Sequence, residues 1–265
     1  MTRVETYPTL AEAARALGEA AYMAGGTLVM RDVNAGTAPP RLVRAADPEL
    51  TAISAAGDSI RLGAGVTMAQ ILARPELDFL HEAARRIGGP QIRNMATVGG
   101  NLFAPHPYGD LAVALIALGG RAILAGQGTR PVEQIVRERE RPPLVAAIEI
   151  ARPRPGAFGF AKVARVKPKG ASVLALAVLA PREGSTLRGV RVALGAMGDH
   201  PLRSAGAERA LEGRPFDAEA IARAARQVAE GLDPPTDSLA TGWYRREVAG
   251  VHLARLLESL RGGRA

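Results

Sequence analysis

The residues best suited to hold a ligand in this chain are glycines. Gly25–Gly26–Thr27 and Gly99–Gly100–Asn101 form two glycine turns. Glycine reaches positive φ and lets a ligand approach without a Cβ in the way. Successive N–H groups in such turns form concave nests for anions. Two nests, one from each half of a domain, suit the two phosphates of a dinucleotide; simple tight turns after strands are the plainer reading. Neither turn belongs to a G-x-G-x-x-G fingerprint or a P-loop, so a dinucleotide site here needs another fold. Between Gly88 and Gly120 the polar residues cluster further. Gln91, Arg93 and Asn94 lie between a helix end and the second turn, and Arg93 suits a phosphate, a partner carboxylate or a plain loop. Asp110 stands just before an apolar helix, as its N-cap or as an acceptor for a ribose or ribityl hydroxyl. Lys162 sits in FAKVAR and is one of only three lysines, with Lys167 and Lys169, in a chain that otherwise uses arginine. It reads either as an exposed strand lysine or as a site group.

Other chemistries are excluded by what is missing. No serine lies in GxSxG and no nucleophile stands with a base, so no catalytic residue is expected and a cofactor must supply any chemistry. The four histidines (His81, His106, His200, His252) form no HxxxH or HExxH pair, so no metal site is expected. With no cysteine, disulfides, thiolate catalysis and Cys-ligated iron–sulfur clusters are absent from this chain. That composition fits a cytoplasmic location. No apolar run reaches the roughly 18 residues of a membrane span, and the N-terminus lacks the pattern of a secretory signal. The net charge of +8 raises nucleic-acid binding. The basic residues are scattered and not interleaved with aromatics, so no nucleic acid is expected as a partner.

The elements that position these residues follow from pattern. TLAEAARALGEA is an amphipathic helix with Thr9 as N-cap and Glu12 completing a capping box. AAYMAGG reads as a strand feeding the first glycine turn, and RLVRA (41–45) and SIRLGAG (59–65) as strands. Thr67 caps a helix MAQILAR, and a longer helix runs from about Glu76 to Ile87, opened by Pro75 and closed by Gly88–Gly89. Asp110–Leu118 reads as a nearly all-apolar helix. RAILA (121–125) and LVAAIEI (144–150) read as strands, with RERERPP as an exposed connection between them. RPRPGAFG (152–159) has the composition of a linker. Beyond it come three strands (GFAKVARV, SVLALAVLA, LRGVRVALGA), then helices over about 217–231 and 242–261, an α+β order.

Taken in sequence, AGGT (24–27), GGPQIRNMATVGGNL (88–102), Gly109–Asp110, FAKVAR (160–165) and D…WYRR (237–246) resemble the FAD-binding medium subunits of molybdenum hydroxylases. That family includes the carbon monoxide dehydrogenase medium subunit and the FAD domain of xanthine dehydrogenase. The resemblance covers nearly the whole chain. It implies an α+β fold: a vanillyl-alcohol-oxidase-type FAD-binding domain of two subdomains (about 1–55 and 56–155), then a C-terminal domain (156–265) of a three-stranded sheet and helices. It implies that Ala24, Gly25, Gly26, Thr27 and Leu28, with Thr97, Val98, Gly99, Gly100 and Asn101, form the pyrophosphate loops. Asp110 would meet the sugar-like chain of the flavin and Lys162 would lie near the flavin. The family passes electrons from a large molybdopterin subunit through the clusters of a small iron–sulfur subunit to FAD, then to NAD or a quinone-type acceptor. Two departures stand out. Leu28 follows Thr27 directly, where relatives carry a polar residue, and Val166 to Ala171 lacks the usual Asp and aromatic. They motivate the alternative of a scaffold member that binds FAD weakly or not at all.

Overall fold

A computed structural model describes residues 2–166 and 170–263. Lys167 to Lys169, within the second departure from the family pattern, lie outside the described residues.

Among the described residues three larger sheets organise the fold, beside a two-stranded hairpin of Arg182–Glu183 and Thr186–Leu187. The first is parallel, with Arg41–Ala45 between Arg3–Tyr7 and Ala21–Tyr22. Its crossovers are the helices Leu10–Leu17 and Val29–Ala35. The Thr9–Glu12 capping box is present on the first of these. The second sheet is antiparallel, in the order Ile53–Ala56, Ser59–Gly63, Val145–Ala151, Arg121–Leu124, Gly128–Pro131. The third, also antiparallel, runs Leu202–Arg203, Arg191–Gly195, Ser172–Leu179, Phe158–Ala164. Its three long strands match expectation, and the two-residue strand Leu202–Arg203 adds a fourth at the edge.

The third sheet is covered on both faces, and its sequence shows how. Along Ser172–Leu179 successive side chains alternate between faces. Leu174, Leu176 and Val178 pack under the helices Ala205–Leu211, Ala218–Gln227 and Gly242–Arg261. Ala175 and Ala177, with Ala193 of the next strand, face the core of the first half. There the wholly buried helix Asp110–Ala117 lies against the sheet. Small residues let it come close: a Cβ on Gly195 would stand 2.7 Å from Val113 Cγ2. Each fully buried Leu, Ile or Val contributes roughly 1.5–3 kcal/mol, so this seam stabilises both halves together. It also sets the start of the helix, Asp110, against the strands that carry Lys162 and Ser172.

Thr67 caps Met68–Leu72 with Gln70 completing the box. The expected helix after Pro75 begins as a 3-10 turn, Pro75–Leu77, and continues as Asp78–Arg85. Several elements lie outside the sequence reading. Val29–Ala35 has no buried residue, so it shows no apolar stripe. Gly128–Pro131 and Val132–Ile135 occupy part of the stretch between the strands at 121–124 and 145–151. Ala205–Leu211, capped by Ser204, follows the edge strand.

Candidate functional site

The two glycine loops touch. A Cβ on Gly25 would lie 1.8 Å from the Met95 carbonyl oxygen and 3.2 Å from Thr97 Cγ2, and one on Gly100 would lie 3.6 Å from Ala24 Cβ. Glycine at 25 is therefore a condition of the contact. Gly26 adopts φ +73°, the left-handed region that favours glycine. Gly99 and Gly100 do not: they lie inside the short helix Val98–Leu102.

Their backbone donors differ as well. The second loop spends its own. Val98 N–H donates to Val66 O (2.8 Å), Gly99 N–H to Ala64 O (2.8 Å) and Asn101 N–H to Thr97 O (3.0 Å). Gly100 N–H donates to Thr97 Oγ1 (3.1 Å), the N-cap bond of the helix. The nest expected at Gly99–Gly100–Asn101 is thus a closed helical turn. In the first loop, none of the N–H groups of Ala24, Gly25, Gly26, Thr27 and Leu28 has a protein acceptor among the described residues. All five residues are half-buried. A row of such donors calls for an external acceptor, water or anion.

Asn101 connects the second loop to the carboxylate. Its Oδ1 accepts from Ala112 N–H at 3.1 Å. The side chain of another helix thereby does the capping that Asp110 was read as doing. Asp110 is instead the first residue of the helix, after Gly109 at φ +101°. Its carboxylate points into the seam. Oδ2 accepts from Lys162 Nζ at 2.6 Å and Oδ1 from Ser172 Oγ at 2.6 Å. The two charged side chains are 7% and 6% exposed, which rules out the exposed-lysine reading of Lys162. Lys162 Nζ also donates to Arg86 O at 3.1 Å. A carboxylate offers about four acceptor sites, so Asp110 keeps capacity for hydroxyl donors.

Arg93 takes the structural role. Its Nη1 donates to Gly88 O at 2.6 Å and to Arg85 O at 3.3 Å, closing the end of the preceding helix. Ser172, His106, Asp237 and Arg245 were not read as site residues. His106 Nε2 lies 2.8 Å from Asp237 Oδ2, and Arg245, fully buried, holds both Asp237 oxygens at 2.7 Å. Burial alone would raise the Asp237 carboxyl. Hydrogen bonds from His106, from the Ala240 and Leu239 N–H groups and from Arg245 outweigh it and hold the carboxyl below the usual range. No spacing rule links positions 106, 172 and 245; only the fold does.

Exposed apolar side chains flank the first loop. Met30, Met95 and Tyr108 are 43%, 56% and 39% exposed. The Arg31 guanidinium lies 5.3 Å from the Tyr108 ring centre, within cation–π range. A hollow of about 270 Å3 at the other end of the Asp110 helix, floored by Leu118, Ala157 and Leu179, shares no residue with this site. Among the described residues no group of acidic or histidine side chains is placed to hold a metal. No helix among them is long and apolar enough to cross a membrane.

Comparison with known proteins gives the same assignment over both halves. A family described as the FAD binding domain in molybdopterin dehydrogenase matches residues 1–144. A second, the CO dehydrogenase flavoprotein C-terminal domain, matches residues 160–260. The glyceraldehyde dehydrogenase medium chain of Sulfolobus acidocaldarius is 28% identical over 218 residues, covering 77% of this chain and 76% of that protein. The nicotinate dehydrogenase FAD-subunit of Eubacterium barkeri is 30% identical over 225 residues, covering 76% and 74%. The solved carbon monoxide dehydrogenase of Hydrogenophaga pseudoflava superposes with a TM-score of 0.90 at 25% identity, over 100% of this chain and 98% of that one. The chain therefore belongs to the FAD-binding flavoprotein (medium) subunits of molybdopterin dehydrogenases, an oxidoreductase family whose cofactor is FAD.

Proposed function

We propose that this chain carries electrons out of a molybdenum hydroxylase complex, from iron–sulfur clusters on a small partner subunit to NAD or a quinone-type acceptor. A large molybdopterin subunit would select the substrate. The chain has no cysteine, so clusters with Cys ligands sit on another chain. FAD supplies the redox chemistry when bound; the residues here bind and orient it. Residues 1–155, in subdomains 1–55 and 56–155, form the cofactor-binding part, and 156–265 back it.

The observation that carries this reading is the row of five acceptor-free N–H groups from Ala24 to Leu28, against a glycine that admits no Cβ. That is the donor set a pyrophosphate needs. Thr97, Val98, Gly99 and Gly100 support the first loop from below. The Asn101 side-chain nitrogen, which has no protein partner among the described residues, adds a donor. Asp110 accepts from the hydroxyls of the flavin's sugar-like chain, and Lys162 orients that carboxylate beside the flavin. The loop that lacks a polar residue after Thr27 still presents five acceptor-free N–H groups from Ala24 to Leu28 among the described residues, which supports FAD binding over the scaffold alternative. The test is FAD titration of the purified chain, read by flavin fluorescence and visible absorbance. Stoichiometric binding that Gly25→Val abolishes is expected. Equal behaviour of wild type and variant, or no binding to either, overturns the assignment.

A further inference from the structure

Three backbone irregularities meet beside Asp110. Pairing between Phe158–Ala164 and Ser172–Leu179 slips at Ser172/Leu174. Ala196, which is not glycine, has φ +62°, a conformation that needs support from its surroundings. Gly109 has φ +101°. The first two are held directly by one polar cluster centred on buried Arg245, and Gly109 lies in the loop that carries its His106. Arg245 Nη1 donates to Val173 O at 2.5 Å, Ala196 O at 3.1 Å and Ser172 O at 3.5 Å. Its Nε donates to Pro235 O at 3.2 Å, and its Nη2 holds Asp237. Asp237 also accepts from Leu239 and Ala240 N–H and faces His106. His106 places its other ring nitrogen 3.2 Å from Gly198 O, four residues before Asp110.

We propose that Arg245 and Asp237 are positioning residues of the cofactor site: through Ser172 on one side and His106 on the other they fix the Asp110 carboxylate. The cluster grips the backbone of Ser172, whose hydroxyl holds Asp110 Oδ1, and it grips the loop that delivers Asp110. Arg245 is fully buried and its partner Asp237 half-buried, and an ion pair taken out of water adds little net stability over an apolar substitute. What it does add is a fixed geometry: donors and acceptors that lock a strand slip, a left-handed alanine and a loop into one arrangement. The C-terminal domain thus sets the geometry of a carboxylate that belongs to the N-terminal one.

The inference rests on the FAD reading above, and the experiment separates the two. FAD affinity and the visible circular dichroism of bound flavin are measured for wild type, Asp237→Asn and His106→Ala, with Thr9→Ala as a control that loses a distant helix cap. The expected result is a fall in FAD affinity on the order of tenfold, the size of outer-shell effects on bound groups elsewhere, with an altered flavin dichroism in both site variants. The control loses thermal stability and keeps both readouts. His106→Ala, being half-buried, carries the test if Asp237→Asn does not fold. Wild type that binds FAD, with variants that lose only thermal stability, overturns the positioning role alone; wild type that binds no FAD overturns both readings.

Discussion

Gly25–Gly26 and Gly99–Gly100 carry the same dipeptide, lie against each other and use their backbones in opposite ways. In the second loop the N–H groups of Val98 to Asn101 all bond within the chain. In the first, those of Ala24 to Leu28 have no acceptor among the described residues. Gly99 and Gly100 are glycine because neighbours crowd them: a Cβ on Gly99 would meet Ala64 Cβ at 2.9 Å. Gly25 is glycine because the other loop crowds it, and Gly26 because of its φ. One loop presents donors and the other is the wall that holds the presenting loop in place. A glycine pair in sequence marks close approach; whether it also marks an anion site depends on where the neighbouring N–H groups go.

The largest effect tests the wall side. Lys162→Met leaves the buried Asp110 charge without its cation. Breaking a buried pair this way costs roughly 3–5 kcal/mol, read as a lower denaturant midpoint. If the first loop is the phosphate site, the variant's affinity for inorganic pyrophosphate stays within a few-fold of wild type while FAD affinity falls. A pyrophosphate affinity that drops with it breaks the division between the loops.

Acid comes next. The Asp237 carboxyl is held below its ordinary value in the fold, so its contribution to stability is complete above the unfolded value of about 3.9. It is lost as pH falls below that, because the unfolded chain takes up the proton first. Hydrogen bonds to charged groups contribute roughly 1.5–3 kcal/mol. Unfolding free energy should therefore drop more steeply below pH ~4 in wild type than in Asp237→Asn. Equal slopes would show that the carboxylate is not held as the geometry requires.

Gly25→Ala and Gly99→Ala form a matched pair. Overpacking costs about 1–3 kcal/mol at each, so thermal stability falls in both. FAD affinity should fall only for Gly25→Ala, since only that loop offers free backbone donors. Thr97→Val gives the smallest change. It removes the cap on Gly100 N–H at a cost of about 1 kcal/mol, with FAD affinity kept; a larger loss of affinity than of stability would make the second loop a direct ligand.

Much of this was legible in the sequence, and what was not has a physical cause. The capping box at Thr9, the cap at Thr67, the apolar helix after Asp110 and the long strands of the third sheet all carry local signals. Val29–Ala35 buries nothing and so carries none. The two glycine loops, Asp110 and Lys162 are named by the sequence without their bonding, and Ser172, His106, Asp237 and Arg245 are not named by it as site residues. The Asp110 signal, an acid before an apolar run, is the signal of an N-cap. It was answered instead by Asn101 Oδ1, eleven residues away from the Ala112 N–H it accepts. Lys162 reads from sequence either as an exposed strand lysine or as a site group, and a sheet face of alanines that brings the Asp110 helix onto it decides between them. The free donors of Ala24–Leu28 are an absence of bonds, which no local pattern encodes.

The central claim is most directly met by amide hydrogen exchange, resolved to single residues, on the chain with and without FAD. The amides of Val98 to Asn101 should exchange slowly in both states, because their acceptors are within the chain. Those of Ala24 to Leu28 should exchange fast without FAD and slow strongly with it. Protection that appears on FAD binding at 98–101 and not at 24–28 would contradict the assignment of the first loop as the phosphate cradle.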